Sequence, residues 1–182
     1  VIKLITLAPE VKGASAFIQA LAKETAITLA MGHTAASYEE AVRGIEDGIS
    51  HVTHLFNAMS ALHHRDPGAV GAALMMDVSC EMIADMIHVS QALFPLVVKA
   101  KGLDKLVLIT DAMSAGGCGK GEYMLGGQTV RVDEKSARLK NGTLAGSILK
   151  LNEALRNIIT YTDVPLEKAI YFVTKNPAAT IG

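Results

Sequence analysis

Aliphatic and β-branched runs alternate along this chain with segments in which apolar positions recur every three to four residues. Residues 1–7 predict a strand with Lys3 as its only charge, and after a turn at Pro9 residues 13–23 predict an amphipathic helix. Residues 27–31 predict a second strand that runs into Gly32 and His33. Residues 37–47 predict a helix, with Ser37 as its N-cap and Glu40 completing a capping box. Residues 51–54 predict a short third strand and residues 81–88 a fourth, although that last pattern alone suits a helix equally well. Residues 93–101 predict a helix, and residues 105–111 form the clearest strand pattern of all.

Beyond Asp111 the pattern changes. Residues 116–121 are a glycine-rich loop. Residues 123–139 then predict a β-hairpin insertion of two strands, with turns around Gly126-Gly127 and residues 133–136. Asn141-Gly142 predicts a further turn before residues 144–147. Two helices follow, over 148–160 and 165–174, and Asn176-Pro177 is expected to end the second. The apolar Leu74-Met75-Met76 run is expected in the core. A strand without a Met before it opens the chain, and a buried parallel strand there needs neighbours on both sides. The chain therefore reads as part of a longer protein.

The predicted strands end near positions 7, 32, 54, 88 and 110, each separated by a strand-helix repeat, which predicts a parallel α/β protein. Spacing alone fits a doubly wound sheet and a (β/α)₈ TIM barrel equally. Polar residues separate the two. His33, His54, His88 and Asp111 each fall at a strand's C-terminal end, and a closed barrel brings such ends together on one face.

Composition excludes more than it assigns. With 17 basic and 18 acidic side chains, the net charge of -1 gives no electrostatic reason for nucleic acid or an anionic membrane as a partner. No apolar run approaches the ~20 residues of a membrane span. Cys80 and Cys118 form no Cys-x-x-Cys pair and read as free thiols of a cytoplasmic protein.

The strand ends carry the candidate chemistry. Hydrolysing an amide requires an activated water and a stabilised oxyanion, and a divalent metal held by neutral imidazoles can provide both. A nearby carboxylate can move the water's proton to the leaving nitrogen. His33, His54 and Asp111 fit those roles, although singly each suits a structural hydrogen bond or a helix cap.

Several segments are also recognisable by their wording. Gly32-His-Thr34, Thr53-His-Leu-Phe-Asn-Ala-Met59, His64-Arg-Asp-Pro-Gly68, Ile109-Thr-Asp-Ala-Met113 and Gly142-Thr-Leu-Ala-Gly-Ser147 follow in the order found in N-acetylglucosamine-6-phosphate deacetylases of the amidohydrolase superfamily. Leu7-Ala-Pro-Glu10 and Asn176-Pro-Ala178 resemble framework segments of that family. The resemblance extends over essentially the whole chain. It implies hydrolytic removal of the acetyl group from N-acetylglucosamine 6-phosphate, with zinc or iron as cofactor, as one or two ions. His33 and His54 match the family's histidine metal ligands, and Asp111 its catalytic aspartate. Asn57, Ala58 and His88 match substrate contacts. Arg65 matches a phosphate contact that often reaches across a homodimer interface, and Leu144, Ala145 and Gly146 match a loop closing over the substrate.

The same resemblance implies that residues 1–182 are about the last five strand-helix units of the barrel. The earlier strands, the family's glutamate ligand and the small β-sandwich domain would lie outside the chain, and the chain alone is expected to be inactive or nearly so. Glu10 has no metal role in that pattern. Two rival functions stay open: an amidohydrolase acting on a cyclic amide, and a non-catalytic sugar-phosphate-binding module.

Overall fold

Five short strands lie side by side, all parallel and in chain order, in the computed structural model, which describes residues 1–182. They are β1 (Leu4–Leu7), β2 (Thr28–Met31), β3 (His51–Val52), β4 (Ser79–Ile83) and β5 (Leu106–Ile109). Leu7 is in register with Met31, Met31 with Val52, Val52 with Cys80, and Ile83 with Ile109. The strand order never reverses, whereas a doubly wound sheet must reverse it at a switch point.

Helices connect the strands. The first crossover is α1 (Ala14–Glu24), and the second is α2 (Tyr38–Asp47), which opens with the expected capping box between Ser37 and Glu40. Next come α3 (Gly68–Met75) and α4 (Phe94–Lys101), the latter led in by a 3₁₀ turn at Gln91–Leu93. Leu29, Met31, Val52, Met82, Leu106 and Leu108 pack against these helices in one core of 29 buried residues. Burial pushes the Cys80 thiol in this core up to about 12, so it behaves as a small apolar side chain.

The opposite face of the sheet is not wholly apolar. His51 Nδ1 lies 2.6 Å from Ser79 Oγ and its Nε2 lies 3.0 Å from Glu81 Oε1, a network spanning β3 and β4. His51 is only 1% exposed, and the two hydrogen bonds satisfy both of its ring nitrogens.

Several expectations are corrected. β4 stops at Ile83, so His88 follows a loop instead of ending a strand. Helix α3 carries no polar face and two glycines, which hid it in the sequence. Its last turn leaves Met75 77% exposed and Met76 half-buried outside the core, so of the Leu74-Met75-Met76 run only half-buried Leu74 packs against the core. The insertion after β5 is a three-stranded antiparallel sheet of β6 (Gly121–Leu125), β7 (Gln128–Val132) and β8 (Ala137–Leu139), with its own small core. Residues 123–139, expected to hold two strands, therefore reach a third at their end.

The chain closes with α5 (Leu151–Tyr161), α6 (Leu166–Ala169), a 3₁₀ turn at Ile170–Val173 and α7 (Lys175–Ile181). Asn176-Pro177 starts a helix here and does not end one. Pro177 sits in the first turn, where no intrahelical N–H is needed. Buried Asn176 donates to the carbonyls of Leu103 and Leu106, fixing the start of β5.

Gly68 shows the backbone's demands at the α3 entry. Its φ is +59°, and a Cβ there would lie 2.8 Å from the carbonyl oxygens of Ser60 and Ala61. Gly68→Ala is expected to destabilise the fold by about 2 kcal/mol or more, read by urea denaturation, because left-handed strain and a backbone clash add. An unchanged midpoint would contradict this account.

Candidate active site

Three strand ends turn in the same unusual way. Two residues past β2, β3 and β5 stand His33, His54 and Asp111, with φ of +49°, +34° and +48°. Side-chain-bearing residues seldom occupy the left-handed region, and those that do cluster at functional sites. Gly32 makes room for the first of these turns: a Cβ there would meet Thr6 Cγ2 at 2.8 Å and Thr53 Cβ at 3.0 Å. Thr6 and Thr53 share a hydrogen bond of 2.9 Å across that gap, joining the end of β1 to the segment after β3.

The turns open onto one cleft of ≈ 760 Å³. His33, His54, Asn57, Ala58, His88, Asp111, Leu144 and Gly146 all line it. Backbone bonds stitch its rim together: Thr34 N donates to Ala58 O, Ser60 N to Thr34 O, and Ser147 N to Asp111 O. Asn57 Nδ2 donates to the carbonyls of His54 and Leu55, locking the turn that carries His54.

Two expected residues are not brought to the cleft. Ala145 is turned into the small core of the three-stranded sheet, where its N–H donates to Ala137 O. Arg65 is exposed on the loop before α3, with Nη1 2.7 Å from His64 Nε2. It makes no ion pair with Asp66.

The two imidazoles meet directly, with His33 Nε2 2.9 Å from His54 Nε2. His54 is buried, and its Nδ1 has no partner, so Nε2 is the atom through which this ring bonds. Two imidazole nitrogens on a tetrahedral ion at ~2.0–2.1 Å stand about 3.4 Å apart. A small ring rotation therefore fits this pair to a divalent cation, as two of the three protein ligands that catalytic sites ordinarily have. No group of three or more His, Cys, Asp or Glu side chains converges closely enough to complete such a set.

Two carboxylates stand behind the rim, and Glu81 is one that the sequence does not single out. Glu81 Oε2 accepts from His54 N at 3.2 Å while its backbone oxygen accepts from Leu55 N, so β4 holds the His54 turn from behind. Glu10 accepts from Thr34 Oγ1 at 2.5 Å and Ala35 N at 2.7 Å, fixing the loop just past His33. Burial by itself would raise the Glu10 carboxyl, but these hydrogen bonds outweigh it and hold the group below its ordinary value. Arg138, on β8, also lines the cleft, and its Nη1 donates to Gly142 O in the turn before Leu144. Glu10 is legible in the sequence as a strand-end carboxylate, whereas the placement of Glu81 and Arg138 depends on cross-strand register.

Comparison with known proteins comes from both sequence and structure. Residues 7–182 match the sequence profile of the Amidohydrolase family. An N-acetylglucosamine-6-phosphate deacetylase of Lysinibacillus sphaericus is 43% identical over 97% of this chain and 46% of its own length. An N-acetylgalactosamine-6-phosphate deacetylase of Escherichia coli O157:H7 is 36% identical over 100% of this chain and 48% of its own length. Among solved structures, a mutant N-acetyl-D-glucosamine-6-phosphate deacetylase of Mycobacterium smegmatis, in complex with N-acetyl-D-glucosamine-6-phosphate, superposes with a TM-score of 0.94. It is 34% identical, over 99% of this chain and 49% of its own. The chain thus spans about half the length of the curated relatives it matches.

The depressed Glu10 carboxyl fixes a sign. Its stabilising contribution is present above the ordinary value of 4.5 and is lost as pH falls through the lower folded value. The stability advantage of the native chain over Glu10→Gln should therefore shrink as pH falls below 4.5 in urea titrations, and an advantage unchanged by acid would contradict it.

Proposed function

The chain belongs to the amidohydrolase family, and from that premise we propose that it forms the larger part of the catalytic site of a metal-dependent N-acetylglucosamine-6-phosphate deacetylase. The products are glucosamine 6-phosphate and acetate. The observation that carries this reading is the convergence of His33, His54 and Asp111, through three left-handed turns, on one cleft. The similarity to deacetylases of two 2-acetamido sugar phosphates gives the substrate class.

In this reading residues 1–182 are the last five strand-helix units of a (β/α)₈ barrel, with the three-stranded sheet inserted after its final strand. The parallel strands in unreversed order support it. His33 and His54 would hold a zinc or iron ion, one or two per site, and such an ion would supply Lewis acidity toward the acetyl carbonyl and lower the pKa of water.

Asp111 does the proton work. It accepts a proton from the attacking water as the water oxygen bonds to the acetyl carbon. The C–N bond then breaks, and Asp111 returns the proton to the departing nitrogen. An exposed carboxylate at the cleft mouth, on a backbone pinned by Ser147 N, can reach both partners without a large movement. Asn57, whose amide nitrogen is already committed to two carbonyls, keeps its side-chain oxygen for the acetamido or hydroxyl groups of the sugar. Leu144 and Gly146 form the apolar rim over the bound sugar.

Arg65 lies outside its own chain's cleft, and its exposed guanidinium suits a phosphate presented by a second copy in a homodimer. A small-molecule sugar phosphate is the partner of the site, and a cytoplasmic setting suits such a substrate. No helix of this chain is long and apolar enough to cross a membrane.

In the full-length protein, Asp111→Asn should lower kcat by about 10²–10⁴-fold while leaving metal content, read by elemental analysis, unchanged. Loss of metal with that substitution would make Asp111 a ligand instead of a proton carrier. Assaying the gluco and galacto epimers side by side identifies the preferred sugar, and no turnover of either would overturn the reading.

A further inference from the structure

Two residues past the end of β4, in the place that His33, His54 and Asp111 occupy on their own strands, stands Asp85. It does not face the cleft as they do. Its carboxylate is folded back into the loop that carries His88. Oδ1 accepts from Ile87 N at 2.8 Å and His88 N at 2.7 Å, while Oδ2 lies 2.6 Å from His88 Nδ1. Both side chains are nearly buried, at 9% and 7% exposure. Met86, at φ +66°, makes the reversal that brings His88 back over the carboxylate, and Asn157 of α5 anchors the loop through Ala84 O.

The chemistry of this arrangement is restrictive. An ionised carboxylate accepts hydrogen bonds and donates none, so His88 Nδ1 must carry the proton. Burial alone would raise the Asp85 carboxyl, but the bonds from the His88 ring and from the His88 and Ile87 N–H groups outweigh it, and the group sits below its ordinary value. Nε2 is then the only ring nitrogen free to act, and His88 lines the cleft. A ring already donating from Nδ1 can donate from Nε2 only as imidazolium. That form lies between two negative groups when an anion occupies the cleft.

We propose that Asp85 is a positioning residue for His88, holding the ring so that Nε2 donates, as part of an imidazolium, to an anionic oxygen of a phosphate monoester in the cleft. The proposal rests on the reading that the cleft takes a sugar phosphate. The other titratable groups lining the cleft with His88 are His33, His54, Asp111 and Arg138. None of these hydrogen-bonds the His88 ring, which Asp85 alone holds through a side-chain hydrogen bond.

A purely structural role is separable, because the carboxylate serves two ends. In Asp85→Asn the amide oxygen can still accept from Ile87 and His88 N–H, preserving the loop. The amide nitrogen then faces His88 Nδ1 and forces it to become an acceptor, so the ring donates from Nε2 only as a neutral group.

The test uses the full-length metal-loaded enzyme with N-acetylglucosamine 6-phosphate as substrate and inorganic phosphate as competitive inhibitor. Asp85→Asn should raise both KM and the phosphate inhibition constant by about tenfold, with a smaller change in kcat, as should His88→Gln. Combined with His88→Gln, Asp85→Asn should add nothing further. Nitrogen-15 spectra of the histidine side chains should report Nδ1 protonated in the wild type and unprotonated in Asp85→Asn. Constants for Asp85→Asn within twofold of wild type, an equal loss in the His88→Gln background, or an unprotonated Nδ1 in the wild type would each overturn the proposal. Absence of turnover and of phosphate inhibition in the wild type would instead remove the sugar-phosphate reading, while the nitrogen-15 result would still decide how Asp85 holds the ring.

Discussion

Where a parallel strand runs out, the chain must turn without exposing the sheet, and in β2, β3 and β5 it turns through the left-handed region on a residue with a side chain. Each such turn costs on the order of 1–3 kcal/mol and persists only when its surroundings hold it. Here the holding groups can be named. Glu81 fixes the backbone of His54 from the neighbouring strand, and Asn57 caps it from the following turn. Thr34 and Ser60 tie the His33 loop to the His54 loop, while Ser147 ties the Asp111 turn to the segment after the second sheet. The cleft exists because these bonds hold several strained positions together.

A second layer of carboxylates underlies that rim. Glu10, Glu81 and Asp85 lie behind the groups that face the cleft and spend their lone pairs on backbone N–H groups or on imidazoles. Placed there, these carboxylates orient histidines and loops without adding negative charge at the mouth of the cleft. Asp111 is the one carboxylate left facing the cleft. The three-stranded sheet contributes one wall through Leu125 and Arg138, the latter gripping the turn before Leu144.

Two imidazoles alone fall short of the three protein ligands that catalytic metal sites ordinarily have. The relatives with which this chain aligns are about twice as long.

The sequence by itself determined the alternation of strand and helix, the capping box at Ser37, and the polar strand-end positions His33, His54 and Asp111, because these depend on periodicity and on local hydrogen bonding. It also carried the family wording, since motifs are local by nature. It missed α3, whose apolar, glycine-containing stretch has no helical face to detect, and it placed His88 on a strand that stops at Ile83. It also points Ala145 to the cleft, whereas this residue packs into the core of the small sheet, with its N–H on Ala137 O. Only the tertiary structure decided that the three strand ends are left-handed, that Glu81 reaches His51 and His54 across a strand boundary, and that Asp85 folds back on His88. Those features depend on register and on backbone reversal between residues far apart along the chain, and no pattern of neighbours in a sequence encodes them.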